Sequence, residues 1–419
     1  MKSLSDSKKF ILHKKVEVIT LIYILVILMT GLVMQPLGEL MVGLKKIFMS
    51  PGTLITDYMM VGGIGPAFFN SGMVALIGYL FFIIYKVPLK GVSIDSMFMT
   101  IVFGMKGQHI WSILTIITGV LIYCKLTKRQ FKENIHSALF ATALAPLVTQ
   151  VTFGFGWGLL AGITIGILVG MVVVPVANHL VTAHEGYNLY NMGFALGFIG
   201  LIFLNVFRGL GYDSESVEIW STEYNNFLRI FSLLLFLSMI ASGIVLGKDR
   251  RKGYIKILKS SGRLPTDFLD LSGFENVLIN MWLVGLTGMA YIELVGGSYN
   301  GPTLSGLFTM IGFAAFGKHP FNIAPIMAGV WIGSFFSIYH ANGPGPLLAA
   351  LYGTCLAPIA GQFGPIPGIL AGILHLAITT TIGTVHGGLN LYNNGFAAGI
   401  VASFFIAIVK GYKKINKEN

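Results

Sequence analysis

Eleven long apolar stretches, at roughly 16–36, 65–85, 109–125, 156–176, 192–210, 227–247, 275–293, 300–316, 322–338, 366–384 and 394–410, are separated only by short polar segments. A helix needs about 20 mostly apolar residues to cross bilayer hydrocarbon. The expected fold class is therefore all-α, a polytopic integral membrane protein. Weaker or Gly/Pro-broken runs lie near 40–61, 92–105, 135–150 and 347–361. With them the total is about 11–14 membrane segments, some broken or re-entrant, because irregular backbone survives at membrane depth only where protein or a wet cavity satisfies it. Composition agrees: 54% of residues are hydrophobic and 11% charged, against about 25% charged in soluble domains.

The formal charge of +11 does not point to nucleic acid. Basic residues cluster between apolar runs, as in cytoplasmic loops. Such clusters occupy 1–15 (Lys2, Lys8, Lys9, Lys14, Lys15), 125–134 (Lys125, Lys128, Arg129, Lys132), 248–263 (Lys248, Arg250, Arg251, Lys252, Lys256, Lys259, Arg263) and the tail (Lys410, Lys413, Lys414, Lys417). Residues 212–225 are acidic, with Asp213, Glu215, Glu218 and Glu223. The bias places both termini, 125–134 and 248–273 in the cytoplasm and 212–225 outside a bacterial cell (plasma) membrane. The first apolar run is long enough to span and no small-residue cleavage site follows it, so it is read as a retained helix. Cys124 and Cys355 define neither a disulfide framework nor a zinc spacing.

The chain is internally repeated. His184-Glu185-Gly186-Tyr187-Asn188-Leu189-Tyr190-Asn191-Met192-Gly193-Phe194-Ala195-Leu196-Gly197 aligns with His386-Gly387-Gly388-Leu389-Asn390-Leu391-Tyr392-Asn393-Asn394-Gly395-Phe396-Ala397-Ala398-Gly399, and ten of fourteen positions are identical. Leu144-Ala145-Pro146 with Gln150 answers Leu356-Ala357-Pro358 with Gln362. Gly62-Gly63 with Ser71-Gly72 is matched to Gly296-Gly297 with Ser305-Gly306. The organisation read from this is 1–36 terminus and leading helix, 37–210 first repeat, 211–273 acidic loop, connector helix 227–247 and basic loop, 274–410 second repeat, and 411–419 tail. The basic loop 125–134 aligns with 338–346, which has no Lys or Arg, so the repeats are expected to be inverted. Lys86 and Lys90 fit that scheme poorly.

Inverted repeats commonly hold a solute near the bilayer midplane, where broken helices meet. In the duplicated motif, Asn188, Asn191, Asn390, Asn393 and Asn394 offer amide donors and acceptors. Tyr190 and Tyr392 add hydroxyls. His184 and His386 can donate, accept or carry a proton, and Glu185, opposite Gly387, makes the two copies unequal. Asn300, before Gly301-Pro302, belongs to a second Gly/Pro-broken element, as does Gly62-Gly63-Ile64-Gly65-Pro66. Together these are the candidate substrate-binding residues. The competing role for the same residues is architectural, since Asn, Tyr and small side chains also join membrane helices. Asp57, Asp95 and Glu293 lie near helix ends and are expected to be solvated. Lys106 and Lys318 are expected to snorkel to an interface, and His375 to be a satisfied core histidine.

Asn300-Gly301-Pro302-Thr303-Leu304-Ser305-Gly306-Leu307, Gly186-Tyr187-Asn188 and Pro320-Phe321-Asn322-Ile323-Ala324 resemble short elements of urea transporters. These strings cover under a tenth of the chain, and their order differs. The duplicated His-x-Gly-x-Asn-Leu-Tyr-Asn motif looks more like that of an uncharacterised bacterial family of multi-pass membrane proteins, a resemblance that implies no activity. The function expected is a transporter or channel for a small polar solute, with its site between the repeats. The alternatives are a structural or signalling membrane component and an intramembrane enzyme built on His179, His184, Glu185 and His386. No cofactor or metal is expected. The expected partners are the lipid bilayer, the solute, a coupling proton and a second copy of the chain.

Overall fold

The computed structural model describes residues 2–247 and 250–418, with side chains described over 13–247 and 252–411. The side chains of Lys2, Lys8, Lys9, Lys248, Arg250, Arg251, Lys413, Lys414 and Lys417 fall outside that range. Among the described residues the chain is helical, with one isolated bridge between Thr56 and Ile219.

The helices fall into two sets of ten, in the same order. The first set is α1 (Lys2–Met34), α2 (Leu37–Phe48), α3 (Tyr58–Gly62), α4 (Ile64–Ile84), α5 (Gly91–Gly104), α6 (Ile110–Leu126), α7 (Ile135–Ala141), α8 (Ala145–Thr149), α9 (Leu159–His184) and α10 (Asn191–Gly209). The second is α11 (Asn225–Leu246), α12 (Arg250–Leu258), α13 (Phe268–Ser272), α14 (Phe274–Val295), α15 (Gly301–Phe313), α16 (Pro320–Ser334), α17 (Pro344–Gly353), α18 (Ala357–Phe363), α19 (Pro365–Ile382) and α20 (Asn393–Glu418). The leading helix α1 packs along α4 as the connector α11 packs along α14. Each is thus the first helix of its half.

Local chemistry repeats as well. The carboxylates of Asp57 and Asp267 cap α3 and α13, accepting from the backbone N–H of Met59 and Leu269 at 2.9 Å each. Gly63 and Gly273 then turn the chain with φ of 101° and 88°, a region costly for any side chain. Asn70 donates to the carbonyls of Gly104 and Gln108, and Asn280 to those of Ala314 and Lys318. These pairings set the register. Ser305 is the counterpart of Asp95, not of Ser71, so the matching of Ser71-Gly72 to Ser305-Gly306 was out of register. They also carry the correspondence upstream of residue 274, to Asp267.

Among the described residues ten stretches are long and apolar enough to cross a membrane: α1 from His13, α4, 135–154, α9, α10, α11, α14, 344–363, α19 with its 3₁₀ end, and α20. The stretches 135–154 and 344–363 are each kinked by a 3₁₀ turn ending at Leu144 or Leu356, just ahead of Pro146 or Pro358. The shorter α5 and α6, with their counterparts α15 and α16, bring each half to seven segments. An odd number returns the second half to the opposite side.

The inversion is visible in the packing. A Cβ on Gly91 would meet Ala315, one on Gly312 would meet Asp95, and one on Gly301 would meet Met105. Helices α5 and α15 are therefore antiparallel. Phe98 and Phe308, the same position in each, touch edge to face at 6.2 Å. Along α10, Gly193, Gly197 and Gly200 meet Gly395, Phe396 and Asn390 in turn, so the motif segments also run antiparallel. A pseudo-two-fold axis passes between these pairs, across the helix direction.

Two ends of the molecule follow. At one, the Leu54 N–H donates to the Gly388 carbonyl and the Ser214 hydroxyl to that of Gly387. At the other, the Leu264 N–H donates to Gly186 and Arg263 Nε to Glu185. Lys90 pairs with Asp270 at 3.5 Å, on the same end as Arg263. Lys90 therefore lies with the basic residues of that end.

Candidate functional site

The duplicated motif builds the junction between the halves. Asn188 Oδ1 accepts from the Tyr190 N–H at 2.9 Å, and its amide donates across the axis to the Gly395 carbonyl at 3.2 Å. Asn390 does the same with the Tyr392 N–H (2.9 Å) and the Gly193 carbonyl (3.5 Å). His184 Nε2 lies 2.9 Å from Asn191 Oδ1, and His386 Nε2 lies 2.9 Å from Asn393 Oδ1. The amides of Asn191 and Asn393 reach the carbonyls of Ala177 and Thr379. An amide buried without a partner costs roughly 2–7 kcal/mol. Here four asparagines are paired, and two of them tie one half to the other.

The remaining candidates have varied surroundings. Asn394 Oδ1 is 3.0 Å from His375 Nε2. Asn300 caps α15 by accepting from the Thr303 N–H and donates to the Ser221 carbonyl. Glu185 turns away from His184: its carboxylate pairs with Lys410 and with Arg263. Among the described residues no three His, Cys, Asp or Glu side chains converge as metal ligands would.

Helices α5 and α15 are buried nearly throughout. At 1.5 Å per residue they rise only about 20 Å, short of the roughly 30 Å hydrocarbon thickness. The turns that follow them, 105–109 and 315–319, are buried within the protein as well. Three charged residues sit here that the sequence reading placed at interfaces. Asp95 is 0% exposed, and neither carboxylate oxygen has a hydrogen-bond partner. Lys318 is 0% exposed; its Nζ donates to Tyr190 Oη at 2.5 Å and stands over the Tyr190 and Phe313 rings. Lys106 is 2% exposed, with Nζ 4.6 Å from the Tyr352 ring centre. Asp57 is likewise buried, as an N-cap, whereas Glu293 is partly exposed beside Arg229. Neither lysine reaches an interface: the turn carrying Lys318 is packed within the protein, and Lys106 meets only the floor of a cavity.

In the symmetry, Asp95 answers Ser305, Lys106 answers Phe316 and Lys318 answers Gln108. Charge at the axis is thus the least symmetric feature of the core. Between the lysines runs a row of four rings: Phe103 to Tyr392 at 5.2 Å, Tyr392 to Tyr190 at 4.9 Å, and Tyr190 to Phe313 at 4.5 Å.

Two cavities lie toward the two ends of the molecule, the smaller of them lined by three of these rings. The larger, about 580 Å³, opens at the Ser216 end among 216–218 and 338–346 and descends to Leu54, Lys106, Leu391, Asn393 and Asn394. The smaller, about 150 Å³, lies toward the Arg263 end and is lined by Leu264, Phe316, Leu189, Asn191 and Met192, with Tyr190, Tyr392 and Phe313. The five residues named for each cavity correspond one to one. The Leu391 N–H donates to Ala143 and the Leu189 N–H to Cys355. Lys106 and Phe316 each start the turn after their short helix, donating to Phe103 and Phe313. The smaller cavity thus repeats the floor of the larger one at five positions, and the larger is the more polar.

The sequence matches a family described as protein of unknown function (DUF1576) over residues 36–209 and 247–411. The chain belongs to the DUF1576 family. No curated protein and no solved structure matches it. The duplicated motif is therefore best read in this DUF1576 protein through its own geometry. The string resembling a urea-transporter element, for instance, is here the capped start of α15.

Proposed function

We propose that this protein carries a small polar solute across the membrane by alternating access, with its central site at the ring row between the inverted halves. The observation that carries the reading is the pair of cavities of unequal size, matched at five positions, toward opposite ends of the molecule. Opposed halves of one chain can exchange roles, so the smaller cavity would open as the larger closes. Buried ionisable residues at membrane depth support the same reading, since such groups are costly and mark solute or ion paths. A fixed channel would leave a continuous passage; the four rings interrupt it. The charge distribution favours placing the Ser216 end outside and the Arg263 end, with both termini, in the cytoplasm of a bacterial cell.

The test is flux. The purified chain in liposomes is challenged with radiolabelled urea, short amides, amino acids, monocarboxylates and ammonium, with and without a proton gradient. Saturable entry of at least one solute above protein-free liposomes is expected. A bulky impermeant maleimide on Thr380→Cys, in the wall of the larger cavity, should abolish that entry. Flux that continues unchanged through the labelled protein would place the path elsewhere.

A further inference from the structure

We infer that the solute is a small monoanion, a short-chain monocarboxylate, whose carboxylate is received by Lys106 at the floor of the larger cavity; this rests on the transport reading above. Lys106 is the only charged side chain lining the buried part of that cavity. Among the described residues its ammonium forms no ion pair. The ring of Tyr352 is the contact it has. A buried lysine in a membrane protein is costly, and a ring face returns only part of that cost. An anion arriving from the cavity would supply the missing partner.

The other charges around the cavity do not take that place. Glu218 lines the mouth but is exposed, where water and salt screen it. His340 lies in the mouth loop. Lys318 is held by Tyr190 and does not line this cavity, which leaves Lys106 as the one buried positive charge facing it. One positive charge suits one negative charge.

The walls narrow the class further. In the same cavity wall as Lys106, Asn394 is engaged through Oδ1 by His375, and among the described residues its amide nitrogen donates to no protein group. It is a second donor for a carboxylate oxygen. Around these two donors stand Leu54, Leu348 and Leu391. Two donors beside these leucines match a carboxylate on a short hydrocarbon body better than a fully hydrated inorganic ion.

The experiment compares a carboxylate with its neutral amide. Liposomes containing the full chain are mixed at pH 7.5 with labelled lactate, lactamide or nitrate, and early uptake is corrected for protein-free liposomes. Lactate entry is expected to exceed lactamide entry by about tenfold or more, the ratio for losing one hydrogen bond to a charged group. Lys106→Met should lose a similar factor for lactate, and Lys106→Arg should keep part of it. The comparison on the parent protein decides the matter even if Lys106→Met does not fold. Lactamide entering faster than lactate would overturn the anion assignment and leave transport standing. Nitrate entering without lactate would overturn the carboxylate assignment alone. No solute of any class entering above protein-free liposomes would remove both readings.

Discussion

Adding one methyl group at the crossing of α10 and α20 should loosen the two halves from each other. A Cβ built on Gly193 would lie 2.9 Å from the Cα of Gly395 and 2.6 Å from a Tyr392 ring carbon; one on Gly395 would lie 2.8 Å from the Cα of Gly193. Ordinary contact begins near 3.4 Å, so the helices must separate by about half an ångström or more. Overpacking of this kind costs roughly 1–3 kcal/mol. Separation also stretches the bonds from Asn188 to Gly395 and from Asn390 to Gly193, the latter already 3.5 Å long; each hydrogen bond lost adds about 1 kcal/mol. Gly193→Ala or Gly395→Ala alone should therefore cost about 2–4 kcal/mol. Together they should cost less than the sum, because one displacement accommodates both methyls. Steric-trap unfolding in bicelles measures these energies directly. Additive effects, or a Gly193→Ala protein as stable as the parent, would refute the close antiparallel crossing.

Further predictions concern other parts of the chain. In intact cells an impermeant thiol reagent should label Ser216→Cys and not Ser260→Cys; the reverse labelling overturns the proposed orientation. His386→Ala leaves Asn393 Oδ1 without its partner in a buried site, and should cost about 1–3 kcal/mol in the same unfolding assay. Glu185→Gln breaks only partly exposed ion pairs with Arg263 and Lys410, worth about 1 kcal/mol at most; a larger loss would mean that Glu185 does more than hold the end of the motif. In the 212–225 loop, the Arg208 guanidinium holds the Asp213 carboxyl below its ordinary value. The pair's contribution is present above the unfolded carboxylate pKa of about 3.9 and lost as pH falls through the lower folded value. Melting curves of the parent and Asp213→Asn should therefore converge in acid, and a difference that grows there contradicts the assignment.

What the sequence determined was the class, the duplication and the inversion. Apolar runs of membrane length leave little choice of architecture. The matched motifs around Asn188 and Asn390 mark equivalent points, and the basic loop 125–134 against the uncharged 338–346 sets their opposite sense. The extent of each half was less legible: α1 and α11 share a place in packing but no obvious string of residues, and helix-on-helix contact in an apolar setting tolerates many sequences. The roles of individual polar residues were decided by tertiary structure. The motif asparagines are spent mainly on backbone groups, which is visible only once the neighbouring half brings Gly193 and Gly395 within reach. Asp95, Lys106 and Lys318 lie beside short apolar helices, and a short helix next to a charge reads as a membrane edge. Only the packing of α5 against α15 puts those charges at the centre, where desolvation makes them costly.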